Sequence, residues 1–167
     1  MSLGIFKQLW LCQSTGYLAL LLLFVSQLLA PMRRLGWVSP KFHLLWRRRC
    51  GIGAALAASL HVGLGWAGFL AHNLWAPLLE TPWLQLGLVA WILLLLLWLT
   101  SYPRLVKLLR VGHWRNLHRL AMVALLWGLL HCVLAPWSDP RVGLILFVCY
   151  WVLLGLRFGK FKPILKG

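Results

Sequence analysis

The chain has 167 residues, of which 62% are hydrophobic and 11% charged, with a mean hydropathy of +0.82; soluble domains run at roughly 45–50% and about 25%. Its 17 Lys and Arg against 2 Asp and Glu give a net charge of +15, a balance that suits a nucleic-acid binder. The distribution excludes that class: the 30 residues from Cys50 to Leu79 contain no Lys, Arg, Asp or Glu, which no water-facing surface tolerates and a bilayer span of about 20 residues requires.

The pattern predicts an all-α polytopic bundle of five transmembrane helices forming a single domain over residues 1–167. The first span covers about residues 11–30, around the block LALLLLFVSQLLA. Its flank has one lysine and no convincing small-residue cleavage site, so it reads as a span rather than a signal peptide. The second covers about 51–74, the third about 83–100 and the fourth about 116–135, with His118 and Arg119 in its first turn. The fifth, about 142–156, has 15 residues and uses Arg141 and Arg157 as snorkelling ends. Together they leave no room for an extramembrane nucleotide-binding domain.

Basic residues orient these spans. Arg33, Arg34, Lys41, Arg47, Arg48 and Arg49 lie between the first two, and Arg104, Lys107, Arg110, Arg115 and Arg119 between the third and fourth. Arg157, Lys160, Lys162 and Lys166 follow the last, whereas Lys7, Arg141, Glu80 and Asp139 fall on the opposite side. By the positive-inside rule the N-terminus is outside and the C-terminus cytoplasmic. Trp10, Trp37, Trp46, Trp75, Trp83, Trp114 and Trp137 sit where headgroups belong and read as belt anchors. Cys12, Cys50, Cys132 and Cys149 show no CxxC pair or metal-ligand spacing and read as buried small hydrophobes. No glycine-rich phosphate loop or repeat is evident.

The chemistry rests with six histidines. His61 and His131 interrupt apolar stretches, AASLHVGLG and WGLLHCVLA, where an ionisable ring is costly and marks a functional candidate. No intramembrane acid is available for a carboxylate–histidine proton relay, whereas bis-imidazole ligation of haem iron needs only neutral histidines facing each other. His61 lies 12 residues beyond Arg49 and His131 lies 12 beyond Arg119. On parallel helices this puts both about 18 Å past the charged boundary, in the outer half of a roughly 30 Å core. Matched depth is what one haem clamped between two helices requires.

His118 stands 13 residues before His131, about 20 Å, the separation of two haems stacked across a membrane; on an ideal helix the two rings point about 140° apart, so a kink or bulge is expected, near Gly128 for example, or the two sites face different neighbours. Counting 13 or 14 residues back from His61 lands on Arg48 or Arg47, with His43 further back as the alternative partner for His118. His72, 11 residues beyond His61, is about 16 Å away and suits either a quinone or acceptor contact at the outer surface or an ordinary interfacial role. His113 with Arg115 or Arg119 could hold a haem propionate, or be solvated; Arg47, Arg48 and Arg49 carry the same two readings.

The stretches RRRCGIGAALAASLHVG, TPWLQLGLVAWILLLLLWLTS and HWRNLHRLAMVALLWGLLH, with the closing LILFVCYWVLLGLRFGK, resemble the ferric-reductase-like transmembrane family over about Thr15 to Lys160. Within it the likeness is to haem-binding membrane subunits of bacterial periplasmic methionine sulfoxide reductase systems. The resemblance implies a b-type haem cytochrome of the bacterial inner membrane, with one haem or two. Its ligands match His61, His118 and His131, and its arginines match Arg48 and Arg49. It implies electrons passing from quinol or a separate flavin reductase, with quinone or FMN as further cofactors, to a periplasmic partner reductase. Relative to that pattern the first family span is missing and Trp75 stands 14 residues beyond His61. Related oxidases carry a flavin and nicotinamide domain after the spans, so such a module is expected as a separate protein. The competing class is a non-catalytic accessory subunit that assembles a larger membrane complex. A transporter is disfavoured by the absence of central acids and of an inverted repeat.

Overall fold

The computed structural model describes residues 3–70, 78, 80–109 and 111–158. The described elements are α-helical: α1 (Leu3–Arg34), α2 (Pro40–Gly65) running into a π-helical turn (Trp66–Leu70), α3 (Pro82–Leu99), α4 (Pro103–Leu108), α5 (Val111–Leu117), α6 (Leu120–Leu134) and α7 (Pro140–Phe158). Four stretches, Lys7–Arg34, Pro40–Gly68, Pro82–Leu99 and Gly112–Leu134, are long and apolar enough to cross a membrane, and Pro140–Leu156 is a shorter apolar helix. A helical bundle satisfies every backbone group within its own segments, the condition hydrocarbon imposes.

α1 and α2 form the most extensive helix pair and α3 and α6 the next; α7 closes the bundle against α6 and α1. The first pair is tight because α2 turns a stripe of small residues inward: Ala54, Ala55, Ala57 and Ala58 are buried. Small side chains let helix backbones approach in a medium where hydrophobicity does not drive association. Leu23 of α1, Leu125 and Leu129 of α6 and Leu153 of α7 complete the core. The outward face of α7 presents Leu144, Ile145, Val148, Trp151 and Val152.

α1 ends in a Schellman motif. Trp37 N–H bonds to the Met32 carbonyl at 3.0 Å and Gly36 N–H to Arg33 at 3.2 Å, with Gly36 at φ 80°. Two residues later Ser39 caps α2, its hydroxyl accepting from Phe42 N–H at 3.3 Å, with Pro40 opening the helix. This cap places the start of α2 eleven residues before the expected start of the second span, so His43 and Arg47, Arg48 and Arg49 are helical. The third span agrees with α3 to within a residue at each end.

The fourth span also begins early and is interrupted at His118 and Arg119. There Arg119 N–H bonds to Asn116 at 3.1 Å and Met122 N–H to Arg119 at 3.1 Å, both i to i+3. The break therefore lies at His118, and α6 runs unbroken through Gly128.

Candidate functional site

At one end of the bundle α1, α2, α3 and α6 converge on two imidazoles. His61 comes from the last turns of α2 and His131 from the last turn of α6. Their ring centroids are 6.0 Å apart with planes at 76°. His61 Nδ1 is 2.7 Å from the Cys12 carbonyl of α1, with Cys12 Sγ at 3.5 Å. His131 Nδ1 is 2.7 Å from the Trp83 carbonyl of α3. A carbonyl oxygen only accepts, so each Nδ1 carries the hydrogen and donates it. Each Nε2 is thereby left with its lone pair, the tautomer a metal-binding imidazole needs.

The spacing suits a shared metal. A metal–nitrogen bond of about 2 Å, plus about 1 Å from nitrogen to ring centre, taken twice, spans about 6 Å. The two histidines thus have the donor chemistry, the tautomer and the separation that would suit holding one haem iron between them. The surroundings are aromatic and tied down. Trp83 lies 5.6 Å from the His131 ring, and Trp137 packs edge-on to Trp83 at 5.8 Å. The Gln13 side-chain amide donates to the Trp137 carbonyl, and Asp139 N–H donates to the Tyr17 hydroxyl at 3.0 Å. Ser59 accepts from Trp91 Nε1 at 3.1 Å and donates to Ala55 at 2.8 Å, joining α3 to α2 near the His61 turn.

The opposite end of the bundle is basic. His118 stacks on Trp114 at 4.3 Å, its Nε2 is 3.5 Å from Thr100 Oγ1, and Trp114 Nε1 donates to the Thr100 carbonyl at 3.1 Å. His118 therefore has a different setting from the other pair, with Nε2 rather than Nδ1 turned to a protein partner. His43 is 5% exposed and both its ring nitrogens lack a hydrogen-bond partner. It lines a cavity of about 410 Å³ with Ala30, Arg33, Arg34 and Arg47.

The structure therefore brings His61 and His131 together and sets His118 apart. Arg48, Arg49, Arg115 and Arg119 are exposed, with the Arg49 guanidinium 5.6 Å over the Trp46 ring. His113 is exposed too, and His72 and Trp75 lie outside the described residues. Sequence reasoning missed the two carbonyl acceptors, at Cys12 and Trp83. Trp83 and Trp114, expected in the membrane belt, also pack beside His131 and His118. Cys12 contributes its backbone to the site, and all four cysteines are free.

Comparison with known proteins gives a consistent picture. The model for "Ferric reductase like transmembrane component" matches residues 15–129. A Deinococcus radiodurans protein named protein-methionine-sulfoxide reductase heme-binding subunit MsrQ is 38% identical over 120 residues, 70% of this chain and 58% of that protein. Proteins of the same name from Yersinia pseudotuberculosis and Yersinia pestis are 30% identical over 164 residues, 89% of this chain and, respectively, 77% and 76% of theirs. No solved structure matches significantly. With most of its helical bundle inside the matched region, this chain belongs to the ferric reductase like transmembrane component family.

Proposed function

We propose that this chain is a b-type haem electron-transfer subunit of the bacterial inner membrane, with His61 and His131 as the axial ligands of one haem. The observation that carries the reading is the pair of imidazoles with centroids 6.0 Å apart, each with Nδ1 anchored to a backbone carbonyl. The bound haem supplies a one-electron redox couple at that depth. The chain's own residues fix both tautomers, leaving each Nε2 lone pair available, and hold the two half-buried rings between apolar helices. With the basic loops in the cytoplasm and the N-terminus outside, the paired histidines lie in the outer leaflet. Electrons from a quinol or a separate cytoplasmic flavin reductase leave toward a periplasmic reductase, for which a methionine sulfoxide reductase is the choice supported by the relatives' names.

A second haem, at the basic end, belongs to the same reading and takes His118 as ligand. Its support is His43, buried with both ring nitrogens unpartnered and lining a cavity with Arg33, Arg34 and Arg47. Arg48, Arg49, Arg115 and Arg119, which border this end, are assigned to its propionates as flexible, solvent-facing cations.

The test is the visible spectrum and haem content, by pyridine haemochrome, of protein purified in detergent. His61→Ala and His131→Ala each remove one low-spin component or turn it high-spin, and His72→Ala, eleven residues further along the chain than His61, leaves it. His118→Ala lowers haem content from two to one, removing the other component. A folded parent that binds no haem overturns the reading in favour of an accessory subunit; a parent with one haem unaffected by His118→Ala overturns the second site alone.

A further inference from the structure

The two anchoring bonds share a construction. On an α-helix the carbonyl of residue i faces the amide of residue i+4, whose side chain leans back over the preceding turn and shields that oxygen from a neighbouring helix. The residue four beyond Cys12 is Gly16, and the residue four beyond Trp83 is Gly87. A Cβ at Gly16 would stand 3.0 Å from His61 Nδ1 and 3.1 Å from its Cε1. A Cβ at Gly87 would stand 2.7 Å from His131 Nδ1 and 2.9 Å from its Cε1. Both imidazole edges thus occupy space that any side chain would fill.

Other glycines behave differently. Gly53 and Gly128 face the tips of Leu22 and Leu20, which rotate away cheaply, and Gly51 and Gly63 face nothing within 4 Å. Among the described glycines only Gly16 and Gly87 back an imidazole. The same device occurs on two helices, α1 and α3, each serving the histidine of its packing partner, α2 and α6. Two separate occurrences at one spacing argue for a role beyond close packing.

We propose that Gly16 and Gly87 are positioning residues for the haem held by His61 and His131, which makes this inference rest on the function proposed above. Each glycine uncovers one helix carbonyl for a second hydrogen bond, and that bond does two things. It fixes which ring nitrogen bears the proton. It also draws that proton toward oxygen, making Nε2 a stronger donor, and a stronger axial donor favours the oxidised iron and holds the potential down. An alanine at either position pushes the ring off its carbonyl, weakens the donor and turns the ring plane from its 76° relation to the other.

The experiment compares parent, Gly16→Ala, Gly87→Ala and, as a packing control, Gly53→Ala by redox titration and low-temperature EPR of the purified haem protein. Gly16→Ala and Gly87→Ala raise the midpoint potential of the His61/His131 component and alter its low-spin g anisotropy. The shift is larger for Gly87→Ala, where the approach is closer; Gly53→Ala leaves both readouts at parent values. Folded Gly16→Ala and Gly87→Ala proteins with parent potential and EPR overturn the proposal, as does an equal shift in Gly53→Ala. A parent without haem fails the functional reading instead, so the two failures are distinct. If an alanine variant does not fold, the parent labelled with ¹³C-carbonyl cysteine or tryptophan decides by redox-difference infrared spectroscopy. A label-sensitive carbonyl band that moves with haem redox state supports the device, and its absence for both labels overturns it.

Discussion

Ser59 shows what a single hydroxyl does in an apolar bundle. It takes the Trp91 indole N–H and returns its own hydrogen to Ala55, so Ser59→Ala leaves an indole donor without its partner in surroundings that offer little water. Interhelical hydrogen bonds of this kind are worth about 0.6–2 kcal/mol in membranes. Ser59→Ala is expected to lose about 1 kcal/mol and lower the thermal midpoint in detergent, with the low-spin spectrum retained; thermal unfolding followed by tryptophan fluorescence measures the first and absorption the second. Individual residues were legible in proportion to how badly they fit hydrocarbon. His61 and His131 stood out at once, as polar rings in apolar runs. Their carbonyl partners did not, because every residue has a carbonyl. The trace they left, a glycine four positions on, acquires meaning only once α1 is known to face α2 and α3 to face α6.

Helix ends follow local chemistry more closely than hydropathy. The link between α1 and α2 is built from a left-handed Gly36 and a Ser39–Pro40 start. A β-carbon at positive φ costs about 1–2 kcal/mol, so Gly36→Ala should destabilise the protein by about that amount and shift the thermal midpoint down. Gly36→Asn, which tolerates the left-handed region, should recover much of the loss in the same measurement. The cap explains why the second span starts early: Ser39 and Pro40 set the first turn, and Arg48 and Arg49 ride on the helix exposed while Arg47 turns to the cavity beside His43. Hydropathy marks where a helix becomes apolar and is silent on where it begins. α3 was legible throughout because its caps and its apolar limits coincide. The break at His118 was legible as a need, from the angular mismatch with His131, and its position was not, since no proline or glycine marks it.

For the whole molecule, the arrangement of charge is the most legible property in the chain. The helix ends and short helices that carry Arg33, Arg34 and Lys41, and Arg104, Lys107 and Arg115, lie at the end of the bundle opposite His61 and His131. From that split, a reporter active only in the cytoplasm is expected to work when fused after Gly167 and to fail before Met1; the reverse pattern would place the histidine pair in the inner leaflet. Bundle class and the shared depth of His61 and His131 followed from composition and counting. The pairing of α1 with α2 and of α3 with α6 required the structure, since an apolar helix in lipid has little amphipathic pattern to declare its inner face. The off-centre position of the imidazole pair has an electrical consequence. In the proposed orientation, an electron brought from the cytoplasmic face to a site near the outer ends of α2 and α6 crosses most of the membrane's voltage drop. A full crossing is worth about 2.3 kcal/mol per 100 mV, and an interior-negative potential pushes the electron outward. The resting membrane would therefore assist reduction of this site, and a collapsed potential would remove that assistance without altering a single contact in the protein.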